Sequence, residues 1–207
     1  MSPHFLSRPA LSFVLALTGL AASAGDRPLV NVPLEWKPTN QLSESVGAIN
    51  LLPFAQVRIA VLPFTDNRKD KTLIGENVEG STPKPVITKD DAAAFLTERT
   101  RQLLRTAGLP LTDKAEEASV TVTAEVLNFK VSESSTYNGE VSLLVVVRAG
   151  NQDLWRGTLM GQATRWGRSY KLENYHEALC NSLIEAVANG LKSEPFMKAL
   201  AGKAPVQ

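Results

Sequence analysis

Residues Val57–Gly75 read VRIAVLPFTDNRKDKTLIG, and the reading of this stretch decides the fold. Ile59, Ala60, Val61 and Leu62 are apolar without alternation, as in a strand covered on both faces. Pro63 ends the run, because proline has no backbone N–H to give a ladder. Asp66-Asn67-Arg68 then has turn composition, with short polar side chains that bond nearby backbone. Asp66 and Arg68 have two readings, a binding pair or a turn closed by a local salt bridge. The second is preferred, since local pairs of this kind are common and weak.

Downstream, Lys69–Thr88 contains Gly75, Gly80, Pro83 and Pro85 and reads as one long connection. Connections of this length without regular structure are often functional. Its Glu76–Pro85 part, with Glu76, Asn77, Glu79 and Lys84, is the leading candidate interaction surface. It has no Gly-Lys-Ser/Thr element and is not a phosphate loop. Thr88-Lys89-Asp90-Asp91 has a capping pattern for a helix through Ala92, Phe95, Leu96, Leu103, Leu104 and Ala107, stopped at Gly108.

Ala118–Ser132 is the next strand. Val120, Val122, Ala124 and Val126 share one parity, while Leu127, Phe129 and Val131 take the other. A bulge near Val126-Leu127 reconciles the two. Ser134–Gly139 reads as a hairpin turned at Asn138-Gly139, leaving Tyr137 at the tip, facing solvent or a partner. Glu140–Ala149 is apolar on both parities and reads as a central strand. Leu154–Trp166 alternates, with Trp155, Leu159 and Ala163 inward. Gly157 and Gly161 on that side leave room for a helix or mark bends. Arg165–Lys171, RWGRSYK, is the one basic and aromatic cluster, and reads as a strand-to-helix connection with a polar rim.

Asn174–Leu191 carries a helical stripe of Tyr175, Leu179, Leu183, Val187 and Leu191, with Cys180 expected as a buried apolar residue. A short helix follows from Ser193-Glu194-Pro195 to Leu200. The expected domain is thus α+β, a two-layer sandwich with a mainly antiparallel sheet and two main helices on one face. Its expected order is β-α-β-β-β-α plus the C-terminal helix.

Upstream, Met1–Ala24 reads as an export signal, with Arg8, an apolar core at Ala10–Ala22, and small residues at Ala22-Ser23-Ala24. The core is shorter than the roughly 20 residues of a bilayer span. No stable membrane anchor is expected after cleavage near Ala24-Gly25, and the expected location is the periplasm. Residues 25–56, with Pro28, Pro33, Pro38 and Pro53, read as an extended arm lying along a domain of residues 57–201, with a flexible tail at 202–207. Leu29–Trp36 is a possible edge strand, and Trp36 either docks on its own domain or anchors a partner.

Loss of Arg8 from the 22 basic residues leaves them level with the 21 acidic ones, so no nucleic-acid partner is expected. The one cysteine, Cys180, rules out a disulfide within one chain. His176 and Cys180 stand one helical turn apart, but no other histidine or cysteine follows the signal to complete a metal set. No catalytic residue, cofactor or metal site is expected.

The Arg58–Gly75 pattern, a short strand, an Asp-x-Arg turn and an Ile-Gly step, resembles the opening of the YajG-type envelope lipoproteins. The order of elements to Leu191 is similar, and a broader likeness extends to auxiliary lipoproteins of envelope ABC transporters and to the amino-terminal domain of TolB-like proteins. This chain lacks the lipid-carrying cysteine of that family after its signal. The resemblance implies a non-enzymatic accessory protein of the cell envelope that binds another envelope protein. A lipid- or small-ligand-binding transport accessory, with a pocket where Gly157 and Gly161 leave space, is the alternative. A hydrolase using His176 is a third reading, without a recognised nucleophile motif.

Overall fold

The computed structural model describes residues 32–168 and 171–203. The proposed signal, the start of the arm and the last four residues lie outside them. Seven strands form one mixed sheet, β1 (Ile59–Val61), β2 (Thr65–Asp66), β3 (Leu73–Asn77), β4 (Lys84–Ile87), β5 (Val120–Glu133), β6 (Tyr137–Ala149) and β7 (Gln152–Arg165). The helices are α1 (Leu42–Val46), α2 (Ala92–Thr106), α3 (Leu172–Lys192) and α4 (Glu194–Leu200). The sheet runs β4-β3-β5-β6-β7, with β1 and β2 also paired to β5.

The Val57–Gly75 stretch is more than one strand. β1, β2 and β3 follow one another along the same edge of β5, all parallel to it. Ile59–Val61 face Val120–Val122, Thr65–Asp66 face Glu125–Val126, and Gly75–Asn77 face Val131–Glu133. They act as a single strand interrupted twice, the larger interruption looping out residues 67–74 opposite residues 127–130. The expected order therefore changes. Four strands precede α2 where one was expected, and the long connection contains the antiparallel β3–β4 hairpin. Pro85 concealed β4, but a strand bonded along one side tolerates a missing N–H.

The bulge expected in β5 is present, with the register shifting between Val126 and Asn128 and leaving Leu127 exposed. It brings Val120–Val126 and Phe129–Glu133 to one buried side. Asn138-Gly139 is not the turn. The β5–β6 connection is Ser134–Thr136, and both residues lie inside β6. Asn-Gly has the composition of a tight turn, but here glycine answers a different need. A Cβ at Gly139 would collide with the Ala178 carbonyl of α3, and one at Gly161 with the backbone of Ser182 and Ala186. At Gly75 it would stand 2.8 Å from the Tyr175 ring. Glycines on β3, β6 and β7 thus let α3 cross the sheet in close contact.

Gly157 is filled differently, by the indole of Trp155, which stacks edge-on with Phe196 of α4 at 4.9 Å. The space proposed for a pocket at Gly157 and Gly161 is therefore occupied by protein. Phe95 of α2 lies 6.1 Å from Phe129. Asp91, not Thr88, caps α2 by accepting from the Ala94 N–H at 3.0 Å, and Gly108 ends it with φ +82°. On β7, the other parity (Arg156, Thr158, Met160, Gln162, Thr164) is exposed.

The arm lies across α3. The backbone N–H groups of Thr39 and Asn40 donate to Asn181 Oδ1, and Asn181 Nδ2 donates to Thr39 Oγ1. Cys180 Sγ donates to the Glu35 carbonyl and accepts from the Lys37 N–H, each at 3.4 Å. His176 Nε2 is 2.9 Å from the Pro33 carbonyl. These three side chains of α3 hold the arm's backbone, which satisfies groups that burial would leave costly. The arm also contains α1, whose five residues carry too few periodic apolar positions to register in sequence.

Candidate interaction surface

Pairing registers place Asn77, Glu133, Tyr137 and Arg165 in one row across the sheet. At this end β3 and β4 turn, β5 turns into β6, and β7 leaves toward α3. Most of the sequence-proposed interaction residues converge here, but not all reach the surface. Glu79 is exposed, while Glu76 and Lys84 are half-buried. Glu76 lies 3.5 Å from Lys130 in a salt bridge. Asn77 is buried, with its Oδ1 accepting from the Glu79 N–H at 3.0 Å. It closes the start of the hairpin tip from inside.

Tyr137 faces neither solvent nor a partner, as its exposure is 1%. Because β6 begins at Tyr137 itself, this residue shares the inward parity of Gly139 and Val141. Its ring packs edge-on against Tyr175 at 5.0 Å. The two hydroxyls flank the fully buried carboxylate of Glu133, Tyr137 at 2.9 Å and Tyr175 at 2.5 Å. The Tyr137 hydroxyl also lies 2.5 Å from the Arg168 carbonyl, and with one proton to give it serves one acceptor at a time. Burial, foremost, pushes its pKa up, with Glu133 adding to the rise against bonds from Asn174 and the Lys171 backbone that lower it.

This buried cluster pins the chain just beyond β7. Asn174 Nδ2 also donates to the Arg168 carbonyl, and Arg165 pairs with Glu177 of α3. Next in the chain after Arg165 is Trp166, 76% exposed, and next after Asn77 is Val78, at 37%. Val78 is itself fixed by its N–H, which donates to the Glu133 carbonyl at 2.7 Å. Three strand spacings of about 4.8 Å set the ends of β3 and β7, from which these residues follow, roughly 15 Å apart. Val78 lies within the proposed Glu76–Pro85 stretch, while Trp166 is not among the sequence-proposed residues. The signal lay in RWGRSYK, whose tryptophan continues past the last paired residue of β7.

The remaining proposed residues serve the fold. Trp36 packs on Phe95 with centroids 6.4 Å apart, and the Arg99 guanidinium lies 5.7 Å over its ring. Asp66 and Arg68 are almost wholly buried, with side-chain exposures of 9% and 6%. Arg68 grips both carboxylate oxygens of Asp66, from Nε at 2.9 Å and Nη2 at 2.7 Å. It also donates to the carbonyls of Lys71, Leu73 and Phe129. Phe129 lies opposite the looped-out residues, so the guanidinium occupies the gap where the interrupted strand leaves β5. The pair that reads as a weak local turn is an internal strut.

Among the described residues, no group of three or more His, Cys, Asp or Glu side chains could hold a metal ion, and no helix is long and apolar enough to cross a membrane. No protein-family model and no curated protein matches the chain. Among solved structures, XCC0632 of Xanthomonas campestris, from the family DUF330, is similar with a TM-score of 0.54 and 12% identity, over 76% of this chain and 92% of that one. A PelC dodecamer from Paraburkholderia phytofirmans gives 0.41 at 11% identity, over 69% and 92% of the two chains. The lipoprotein GNA1162 of Neisseria meningitidis gives 0.36 at 14% identity, over 64% and 96%. The chain shares the fold of the DUF330 protein XCC0632.

Proposed function

We propose that this is a non-enzymatic accessory protein of the bacterial envelope, exported to the periplasm, that binds another envelope protein through the hairpin end of its sheet. The observation that carries the reading is Trp166, exposed between Arg165, which pairs with Glu177, and Arg168, whose carbonyl is held by Tyr137 and Asn174. Tryptophan supplies much of the energy of protein interfaces when it enters a partner's pocket, and a rigid support spares the entropy of ordering it on binding. Val78 and the hairpin tip beside it extend the surface, while Glu76, Glu79 and Lys84 give it a mixed polar rim of the kind interfaces carry. The signal-like Met1–Ala24 segment and the resemblance of Arg58–Gly75 to YajG-type proteins support the compartment.

A photo-crosslinking residue at position 166 tests this in intact cells, with the same residue at exposed Gln152, at the other end of β7, as control. A discrete protein adduct is expected from position 166 alone. It should weaken when residues 79–83 are replaced by a Gly/Ser tip that leaves β3 and β4 intact. The same adducts from both positions, or none from position 166, would overturn the assignment.

A further inference from the structure

At the opposite end of the sheet, a groove of about 380 Å³ runs between the arm and the α3–α4 corner. Val46, Ile49 and Pro53 line one wall, Met197 and Ala201 the other, with Leu191 and Phe54 in the buried floor. Its rim is cationic. Lys192, Lys198 and Lys203 border it against a single acidic side chain, Glu194. Lys198 is paired with Glu194 at 2.7 Å, and Lys192 is 3.9 Å from Glu185. Lys203 has no ion-pair partner among the described residues.

An apolar trough open to solvent beside a surplus of positive charge has a complementary ligand, one with an apolar tail and an anionic head. The volume lies near the lower bound of small-molecule pockets, roughly 300–1,000 Å³. That suits one acyl chain rather than two. We infer that this groove binds a single-chain amphiphile with a carboxylate head, a fatty acid, with the tail between Ile49 and Met197 and the head at Lys198 and Lys203. The walls are suited to a flexible tail, since methionine adapts its shape to its neighbours. Lysine stems add apolar lining while their ammonium groups reach water. The inference stands apart from the proposed protein-binding end and does not depend on it.

Titrating the full mature chain, with its methionine methyl groups labelled with carbon-13, tests the idea. The probe is laurate below its micelle concentration. Butyrate serves as the head without a tail, and a neutral dodecyl glycoside as the tail without charge. Laurate is expected to shift the Met197 methyl resonance saturably, and butyrate to leave it unmoved. The double variant Lys198→Gln/Lys203→Gln, both exposed positions, should weaken laurate binding about fivefold and leave the neutral glycoside unaffected. Met197→Gln, checked for an unchanged melting temperature, should reduce binding of laurate further. No saturable shift, or equal laurate affinity in the double variant, would overturn the inference. So would a dimer that buries Met197 without any laurate, because the groove would then belong to a second copy.

Discussion

Arg68 shows how one side chain can replace a stretch of strand. Where residues 67–74 leave β5, the Phe129 carbonyl loses its backbone partner, and the guanidinium supplies one. Arginine suits this position because its planar fork gives several donors at once and stays charged at every accessible pH. Burial works first to raise the Asp66 pKa, but the hydrogen bonds and charge of Arg68 outweigh it and hold the carboxyl below its usual value. A depressed folded pKa contributes stability that is complete above the unfolded value, near 3.9, and is lost as pH falls through the folded one. Asp66→Asn leaves Arg68 buried without a counter-charge, which typically costs about 3 kcal/mol. Urea unfolding should show that loss at pH 7, and the two proteins should converge once acid has protonated Asp66. An equal gap at both pH values would show that the loss does not come from the charge.

Among the elements, those carried by period and punctuation were legible, and those carried by register were not. The α2 and α3 stripes, the β5 bulge and the alternation of β7 all follow from spacing along the chain. That β1, β2 and β3 share one edge of β5 depends on how much chain loops out between them, which no local pattern records. Asn138-Gly139 reads as a turn because its composition fits one equally well, and only the closeness of α3 distinguishes the two uses. Tyr137 followed that error to the wrong side of the sheet. The rail that residues 33–40 find on α3 was not legible, since His176, Cys180 and Asn181 are ordinary residues until the backbone they bond is known. Cys180 can report on that docking. Burial pushes its thiol up to about 11, more than the Lys37 N–H lowers it. Its raised pKa favours the fold fully below the unfolded value of about 8.5, an advantage lost as pH rises through 11. Alkylation proceeds through the thiolate, so the native protein should resist iodoacetamide at pH 8. Asn181→Ala releases the Thr39 and Asn40 N–H groups and should speed labelling with little change in circular dichroism. Labelling as slow as in the parent protein would mean that the arm is held without Asn181.

For the whole molecule, the long strands separate two surfaces of different chemistry. β5 and β7 each span 14 residues, about 45 Å at 3.3 Å per residue. Trp166 and Val78 stand at one end, and the lysine-rimmed groove at the other. The sheet between them is joined by long antiparallel ladders and covered by α3, which crosses it in close contact at glycines. Coupling between distant sites needs an element with two arrangements that both ligands bias. α3 packs closely on β6 and β7 at those glycines, and continuous ladders join the strands beneath it. The arm is the other path, running from His176, Cys180 and Asn181 in the first half of α3 through α1 and residues 46–54 to the groove, but its side-chain anchors all stand on α3, which the sheet holds. The two surfaces should therefore act independently. Trp166→Ala should abolish partner capture and leave laurate affinity unchanged within error. Met197→Gln should weaken laurate binding and leave partner capture unchanged, and a double variant should show each loss at the size it has in the single variant, as separated sites do. A shift in laurate affinity of more than about twofold in Trp166→Ala would instead reveal motion of α3 across the sheet.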